Sequence, residues 1–373
     1  MELINIKLLI EKLYSGKESI LPDEYSLIIK SINNQLGEFQ DPLFENNFSL
    51  LIDALFKSSI HNEISEGINL EKLYPIINYF LHQESSELNK KNIDALLDLL
   101  RLSGILKKVN NQQELANQIF KLIEKSNFSL NDLIKQRVSD YSNKNIFNLI
   151  DSRGIKKVNW QSLYTSVTDY GKSILANLEN KNSKIAFLLN NSFNMVLLDL
   201  ASISNYIINI MISTTTVSEH IKHILNETES EIIFVDDEKE LQKIKLIKKD
   251  LLFLKKAVLL SGHSAEDWVI PLNEFLDKKS DALIKKKDIH EIATIMYTSG
   301  TTGEPKGIMF TYMNIIFKRF CRAIAIPEIN DSDSFLAYLP MYHTFGRYFE
   351  MMGAIFWGAE YSFMENPSLE AMV

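Results

Sequence analysis

Residues 295–307 read Ile295-Met296-Tyr297-Thr298-Ser299-Gly300-Thr301-Thr302-Gly303-Glu304-Pro305-Lys306-Gly307. Three of the chain's 13 glycines and five hydroxyl-bearing residues fall in this one stretch, in a sequence that uses glycine and proline at about half their usual abundance. Ala293 to Tyr297 predicts a strand that feeds the stretch, and Thr311 to Phe320 predicts a helix beyond it. Glycine lets backbone N–H groups approach phosphate oxygens with no Cβ in the way. Thr and Ser hydroxyls donate further hydrogen bonds, and Lys306 adds a positive charge. The pattern is not a Walker A loop, because five positions on from Gly300 stands Pro305, nor is it the G-x-G-x-x-G fingerprint. The plain alternative is a surface Gly/Thr linker, against which stands the fixed Pro305-Lys306-Gly307 after a strand.

Upstream of this loop, short β-rich runs alternate with helical ones. Lys184 to Leu189, Tyr206 to Ile212, Glu231 to Val235 and Lys256 to Leu260 read as strands, and Phe193 to Ala201 and Val217 to Asn226 as helices. That alternation predicts βαβ units and a mainly parallel sheet, hence an α/β fold. Thr216 and Glu219 have the spacing of a capping box. From Met1 to about Phe128 the periodicity is helical instead. Leu50, Leu51, Ala54 and Leu55 share one face, as do Ile93, Leu96, Leu97 and Leu100, and then Leu115, Ile119 and Leu122. Breaks at Ser15-Gly16-Lys17, Asp41-Pro42, Glu66-Gly67 and Lys107 to Asn111 predict short antiparallel helices. Residues 1–128 are therefore read as an all-helical module with no assigned chemistry.

The 373 residues carry 40 Lys+Arg against 48 Asp+Glu, a net charge of -8, which speaks against nucleic acid as a partner. One cysteine, Cys321, makes no intramolecular disulfide, and charged Glu2, Lys7, Glu11 and Lys12 interrupt the N-terminus. A cytoplasmic setting is expected. The stretch Met195 to Ile212 is broken by Asp199, Ser202, Ser204, Asn205 and Asn209, so it reads as a buried helix followed by a strand rather than a membrane span. Peripheral membrane association stays open, since a lipid-like substrate would attract it.

The loop resembles the phosphate loop of the adenylate-forming superfamily, whose pattern is Thr-Ser-Gly-Thr-Thr-Gly-x-Pro-Lys-Gly and which Thr298 to Gly307 matches at every fixed position. Downstream, Thr311 and Asn314 are kept, with Tyr312 where the family has His. A second element, Leu339-Pro340-Met341-Tyr342-His343-Thr344-Phe345-Gly346-Arg347, resembles the segment that borders the acyl pocket in long-chain fatty acyl-CoA synthetases, with Gly346 where Glu is common. Val158 to Tyr164, Ile185 to Leu189, Asn191-Ser192 and Glu231 to Asp236 give a looser match. The resemblance covers Ser129 to Val373, so residues 129–373 are expected to form an incomplete AMP-binding domain of stacked βαβ sheets.

The resemblance implies a two-step acid–thiol ligase. A carboxylate attacks the α-phosphate of ATP to give acyl-adenylate, and a thiol, normally coenzyme A, then displaces AMP, with Mg²⁺ assisting. It implies a fatty acid as substrate. Thr298, Ser299, Gly300, Thr301, Thr302, Gly303, Pro305, Lys306 and Gly307 would hold the nucleotide phosphates. His343 and Lys306 would be catalytic, and His343, Phe345, Gly346 and Arg347 would border the acyl site. An acyl carrier protein is the other acceptor within the family. The family's Tyr-Gly-x-Thr-Glu, Thr-Gly-Asp and late Lys do not occur before Val373. The chain is therefore expected to be an N-terminal fragment, inactive alone and with exposed sheet edges, and the rival reading is a nucleotide- or partner-binding remnant without chemistry. Asn366 to Val373 read as the start of a helix. No metal-ligand set is assigned: His220 and His223 lack a third ligand, and Asp236-Asp237-Glu238 reads as an acidic turn. Cys321 reads as packing.

Overall fold

The computed structural model describes residues 4–15, 22–58, 60–151, 154–179, 183–282, 285–299 and 304–364. The expected break at Gly16-Lys17, the loop tip Gly300 to Gly303 and the expected helix start after Asn366 lie outside the described residues. The chain divides into two compact units: Met1–Ser142 with Ile316–Asp333 and Phe356–Ala359, and Asn143–Ile315 with Ser334–Ile355 and Glu360–Val373.

The first unit is helical, as its periodicity predicts. Pro42–Lys57 begins where Asp41 caps the backbone N–H of Leu43, and Gln112–Ser126 begins where Asn111 caps that of Glu114. Ile93, Leu96, Leu97 and Leu100 are buried, as are Leu115, Ile119 and Leu122. Leu50 departs from its expected face and is exposed, while Leu51, Ala54 and Leu55 are buried. The unit continues past residue 128. Leu130–Tyr141 is capped by a reciprocal Ser129–Asp132 box and buries Arg137 and Tyr141.

Arg137 belongs to a dry ionic cluster. Arg101 Nε donates to Asp98 Oδ1 at 2.7 Å, and its Nη2 donates to Asp140 Oδ2 at 3.2 Å and to the Tyr141 hydroxyl at 3.0 Å. Arg137 pairs with the same two carboxylates, reaching Asp98 through Nη2 and Asp140 through Nη1 at 3.1 Å.

The second unit holds eleven strands among the described residues: β1 Asn145–Asp151, β2 Gly154–Asn159, β3 Lys184–Leu188, β4 Asn209–Met211, β5 Ser230–Val235, β6 Lys256–Leu259, β7 Val269–Pro271, β8 Ile292–Ser299, β9 Pro305–Thr311, β10 Ser334–Leu336 and β11 Glu360–Met364. Seven form a sheet in the order β7-β6-β5-β3-β4-β8-β9, and four form a second sheet, β10-β11-β1-β2. All neighbours in the larger sheet are parallel except β8 and β9. Central strands such as Ile185 to Leu188 are apolar and buried on both faces, which is what crossover helices on both sides require.

Most expected elements appear within a few residues. Met195 to Ile212 becomes the helix Phe193–Ser204 followed by β4, and among the described residues no helix is long and apolar enough to cross a membrane. Two local expectations fail. The helix Ser218–Glu227 has Val217 at its cap with no side-chain bond, so the Thr216 box does not form; the Thr216 N–H instead bonds back to Ser213 O at 3.0 Å. Between the loop and the helix Tyr312–Ala325 lies an unforeseen strand, β9. It is the outermost strand of its sheet, and Ile308 and Met309 on it are exposed.

Candidate functional site

In an open parallel sheet, ligands collect outside the carboxyl ends of the strands, because loops there converge and backbone N–H groups at helix starts face outward. Here β3, β4, β5 and β8 run the same way, so their carboxyl ends deliver Asn190-Asn191, Ser213 to Thr216, Asp236 and Thr298 to one edge. Hydrogen bonds tie three of these ends together. Asn190 donates from its backbone N at 2.6 Å and from Nδ2 at 2.7 Å to Asp236 Oδ2, and its Oδ1 accepts from the Thr214 hydroxyl at 3.0 Å. Burial, with Asp237 and Glu240 nearby, pushes the Asp236 carboxyl up to about 6 despite the Asn190 donors.

The expected phosphate loop closes a β8–β9 hairpin. Antiparallel register sets Thr298 against Lys306 and Ser299 against Pro305, and directly opposed residues present their side chains on one face. Thr298 and Lys306 are both exposed, while Pro305 is buried and anchors the hairpin. Gly307 is packed tightly: a Cβ there would lie 3.0 Å from Ile295 Cγ2 and 3.1 Å from Tyr297 Cζ. Beyond β9, the Thr311 hydroxyl accepts from the Asn314 N–H while Asn314 Oδ1 accepts from the Thr311 N–H, both at 3.1 Å. This reciprocal cap starts the next helix and accounts physically for the Thr and Asn noted there. Tyr312 is buried with its ring 5.2 Å from that of Tyr206, edge to face.

The segment 339–347 reaches the same edge because Asn191 grips it. Asn191 Nδ2 donates to Leu339 O at 2.8 Å, and its Oδ1 accepts from Met341 N at 2.7 Å. His343 and Phe345 are exposed. Gly346 is buried, and a Cβ there would lie 2.4 Å from Leu339 O and 2.5 Å from Pro340 O. No larger side chain fits that turn without moving backbone.

Arg347 stands apart from the expectation that it borders the acyl site. Its side chain is 0% exposed, and its donors are committed inside the protein. Nε and Nη2 reach Asp199 Oδ2 and Oδ1 at 2.9 and 2.5 Å, Nη1 reaches Thr294 Oγ1 at 2.9 Å, and Nη2 reaches Asn209 Oδ1 at 3.0 Å. The guanidinium has nothing left to offer a substrate. It joins the 339–347 segment to the helix Phe193–Ser204, to β4 and to β8, four residues before Thr298. Asp199, Asn209 and Thr294 were not singled out as site residues in the sequence. Their signal was there: polar residues inside otherwise apolar stretches that end as buried elements.

Over residues 134–372 the chain matches the family described as AMP-binding enzyme. It is 29% identical over 171 residues to the long-chain-fatty-acid–CoA ligase ACSBG1 of Rattus norvegicus, covering 43% of this chain and 24% of that one. Against long chain acyl-CoA synthetase 4 of Arabidopsis thaliana it is 27% identical over 241 residues, covering 59% and 36%. These matches span about a quarter to a third of the curated relatives' length. Among solved structures, a long-chain-fatty-acid-CoA ligase from Archaeoglobus fulgidus aligns with a TM-score of 0.56 at 20% identity, covering 66% of this chain and 48% of that one. An o-succinylbenzoate coenzyme A synthetase from Bacillus subtilis, in complex with ATP and magnesium, aligns with a TM-score of 0.52 at 19% identity, covering 64% and 59%. These likenesses establish the adenylate-forming fold.

Proposed function

The chain belongs to the AMP-binding enzyme family, and on that premise we propose that it serves the ATP-dependent activation of a fatty acid. In this reading a carboxylate oxygen attacks the α-phosphorus of ATP, the bond to the pyrophosphate oxygen breaks, and pyrophosphate leaves. A thiol sulfur then attacks the acyl carbonyl, AMP departs, and the thiol proton passes to solvent. The acceptor is coenzyme A, with an acyl carrier protein as the competing acceptor.

The observation that carries the reading is the register of the β8–β9 hairpin, which opposes Thr298 and Lys306 at the carboxyl edge. Exposed hydroxyls beside an exposed lysine suit phosphate oxygens. In this reading Thr298, Ser299, Gly300, Thr301, Thr302, Gly303, Pro305, Lys306 and Gly307 hold the pyrophosphate end of ATP. Lys306 offsets developing charge, His343 lies toward the carboxylate and the adenylate, and Phe345 lines the acyl site. Gly346 keeps the segment close to its own carbonyls, and Arg347 sets its position from within the protein. Magnesium, when bound, would neutralise phosphate oxygens. Among the described residues no three His, Cys, Asp or Glu side chains converge to hold it, so no step here is assigned to it.

ATP should raise the melting temperature of the wild-type chain, and Lys306→Ala and Thr298→Val should each lose most of that protection. Both positions are exposed, so the variants are expected to fold. Fatty-acid-dependent ATP–pyrophosphate exchange should fall by tenfold or more in Lys306→Ala, about the worth of one charge-stabilising donor. Unchanged ATP protection in both variants would overturn the loop assignment. Thioester formation with coenzyme A and with an acyl carrier protein, assayed side by side, decides the acceptor.

A further inference from the structure

Between β5 and β6 the chain runs from Asp236 to Lys255 with six lysines against five acidic residues, but the stretch Lys245 to Lys256 around its last turn holds five lysines against one acidic residue in a protein whose net charge is -8. The apolar residues of this connection divide sharply. Leu241, Ile244, Ile247, Leu251 and Leu254 are buried in the core beside the larger sheet. Leu246 and Leu252 are instead 79% and 77% exposed, and Phe253 is 39% exposed. Three large apolar side chains thus stand out within eight residues, which packing of the fold does not require.

The turn that displays them is braced. Asn226 Oδ1 accepts from the Leu252 N–H and its Nδ2 donates to Asp250 O, both at 2.9 Å. Lys248 Nζ donates to Leu254 O at 3.1 Å and lies 5.4 Å from the Trp268 ring centroid. Leu251 and Leu254 pin the two ends into the core, leaving Leu252 and Phe253 at the tip. Lys249 and Lys255 are exposed beside it. Lys245 pairs with Glu238 at 2.9 Å and Lys243 with Glu240 at 2.7 Å, and Lys255 pairs with Glu179 and, at 3.5 Å, Glu231. The Lys255–Glu179 pair is exposed on both sides, and a surface pair of this kind is weak and exchanges readily for another anion, whereas Glu240 is buried and holds Lys243. Asp250 is the acidic residue of the turn itself, and the charge of Lys222 faces it.

An amphipathic projection of this kind has a matching surface. Leucine and phenylalanine tips enter the boundary between headgroups and acyl chains, while lysines meet anionic headgroups. We propose that the braced turn Leu246 to Phe253, with its flanking lysines, docks on an anionic lipid bilayer. The turn leads into β6, so it lies at the amino ends of the parallel strands, and docking there leaves the carboxyl edge with Thr298 uncovered. The proposal does not rest on the reaction proposed above, because it is read by lipid partition and not by turnover.

The test is co-flotation of the 373-residue chain with vesicles of phosphatidylcholine alone and of phosphatidylcholine mixed with phosphatidylserine at about 3:1. The wild type should float with the anionic vesicles and not with the neutral ones, and added salt should release it. The double variant Leu252→Ser/Phe253→Ser should bind at least tenfold more weakly, and Lys249→Glu and Lys255→Glu about fivefold or more each. All four positions are exposed, and an unchanged melting temperature confirms that the variants fold. The proposal is overturned if the wild type ignores anionic vesicles, if it binds neutral vesicles equally well, or if the variants float like the wild type. Light scattering supplies a further check: a wild-type dimer that Leu252→Ser/Phe253→Ser dissolves would make the turn an interface between copies of the chain and sink the lipid reading.

Discussion

Each unit buries arginine, and the two do it with different arithmetic. In the α/β unit a single guanidinium, Arg347, meets a single carboxylate, Asp199, and fills its remaining donors with the neutral acceptors Thr294 and Asn209. In the helical unit two guanidiniums, Arg101 and Arg137, share two carboxylates, Asp98 and Asp140, with the Tyr141 hydroxyl alongside. Burial works against ionising Asp98, and the charges of Arg137 and Arg101 outweigh it, holding that carboxyl below the usual range. The shared cluster is redundant: each carboxylate keeps one arginine if the other is lost. The Arg347 site has no such reserve, and it is the one that holds a candidate functional segment in place.

Arg347→Ala should therefore have the largest effect. It strands Asp199 with only Asn209 Nδ2 at 2.8 Å, and breaking a buried pair from one side costs about 3–5 kcal/mol. The urea midpoint of the α/β unit should drop accordingly. Arg347→Lys should rescue little, because a single ammonium cannot span Asp199, Thr294 and Asn209 together. Arg101→Ala should cost less, about 2–3 kcal/mol on the helical unit's own transition, since Arg137 still faces both carboxylates. An Arg101→Ala loss equal to that of Arg347→Ala would break the argument from redundancy.

Gly346→Ala comes next, at about 1–3 kcal/mol for forcing a Cβ against two carbonyl oxygens. It asks whether Arg347 alone fixes the segment or needs the close turn before it. An unchanged melt together with unchanged ATP protection would assign the whole task to the arginine.

Much of the α/β unit is legible because its strands are short apolar runs bounded by polar turns, and because the helices between them keep a 3.6-residue stripe. The hairpin strand β9 escaped that reading. Pro305-Lys306-Gly307-Ile308-Met309 shows no alternation, and from Lys306 to Met309 it is exposed, so no core imposes a period of two on it. Arg347 was legible as part of a motif, but its surroundings were not. Its partners Asp199, Asn209 and Thr294 lie 148, 138 and 53 residues away in sequence, beyond any local pattern. Asp199 and Asn209 registered only as residues that disqualify a membrane span, a reading that rests on the same fact: a polar group inside an apolar stretch must find a partner. The ionic cluster of the helical unit was hidden for the same reason, since Asp98 and Arg137 are 39 residues apart.

Asp236 extends the comparison to a carboxylate with no guanidinium at all. Its partners are the two Asn190 donors, with Asp237 and Glu240 as like charges, and it titrates near 6 in the fold against 3.8 for an ordinary aspartate. A folded value above the unfolded one means that the fold prefers the protonated form. That contribution is complete below pH ~4 and is lost as pH rises through about 6. The difference corresponds to no more than about 3 kcal/mol, and because water reaches part of the group, about 1–2 kcal/mol is expected between pH 5 and 7.5. Asp236→Asn keeps an oxygen to accept from Asn190 and removes the charge. Its stability should exceed that of the wild type at pH 7.5 by about 1 kcal/mol, and the gap should close near pH 5. A gap that does not change with pH would mean that Asp236 is held by its amide donors as firmly as Asp199 is by Arg347, so that two N–H groups at this edge could stand in for a guanidinium.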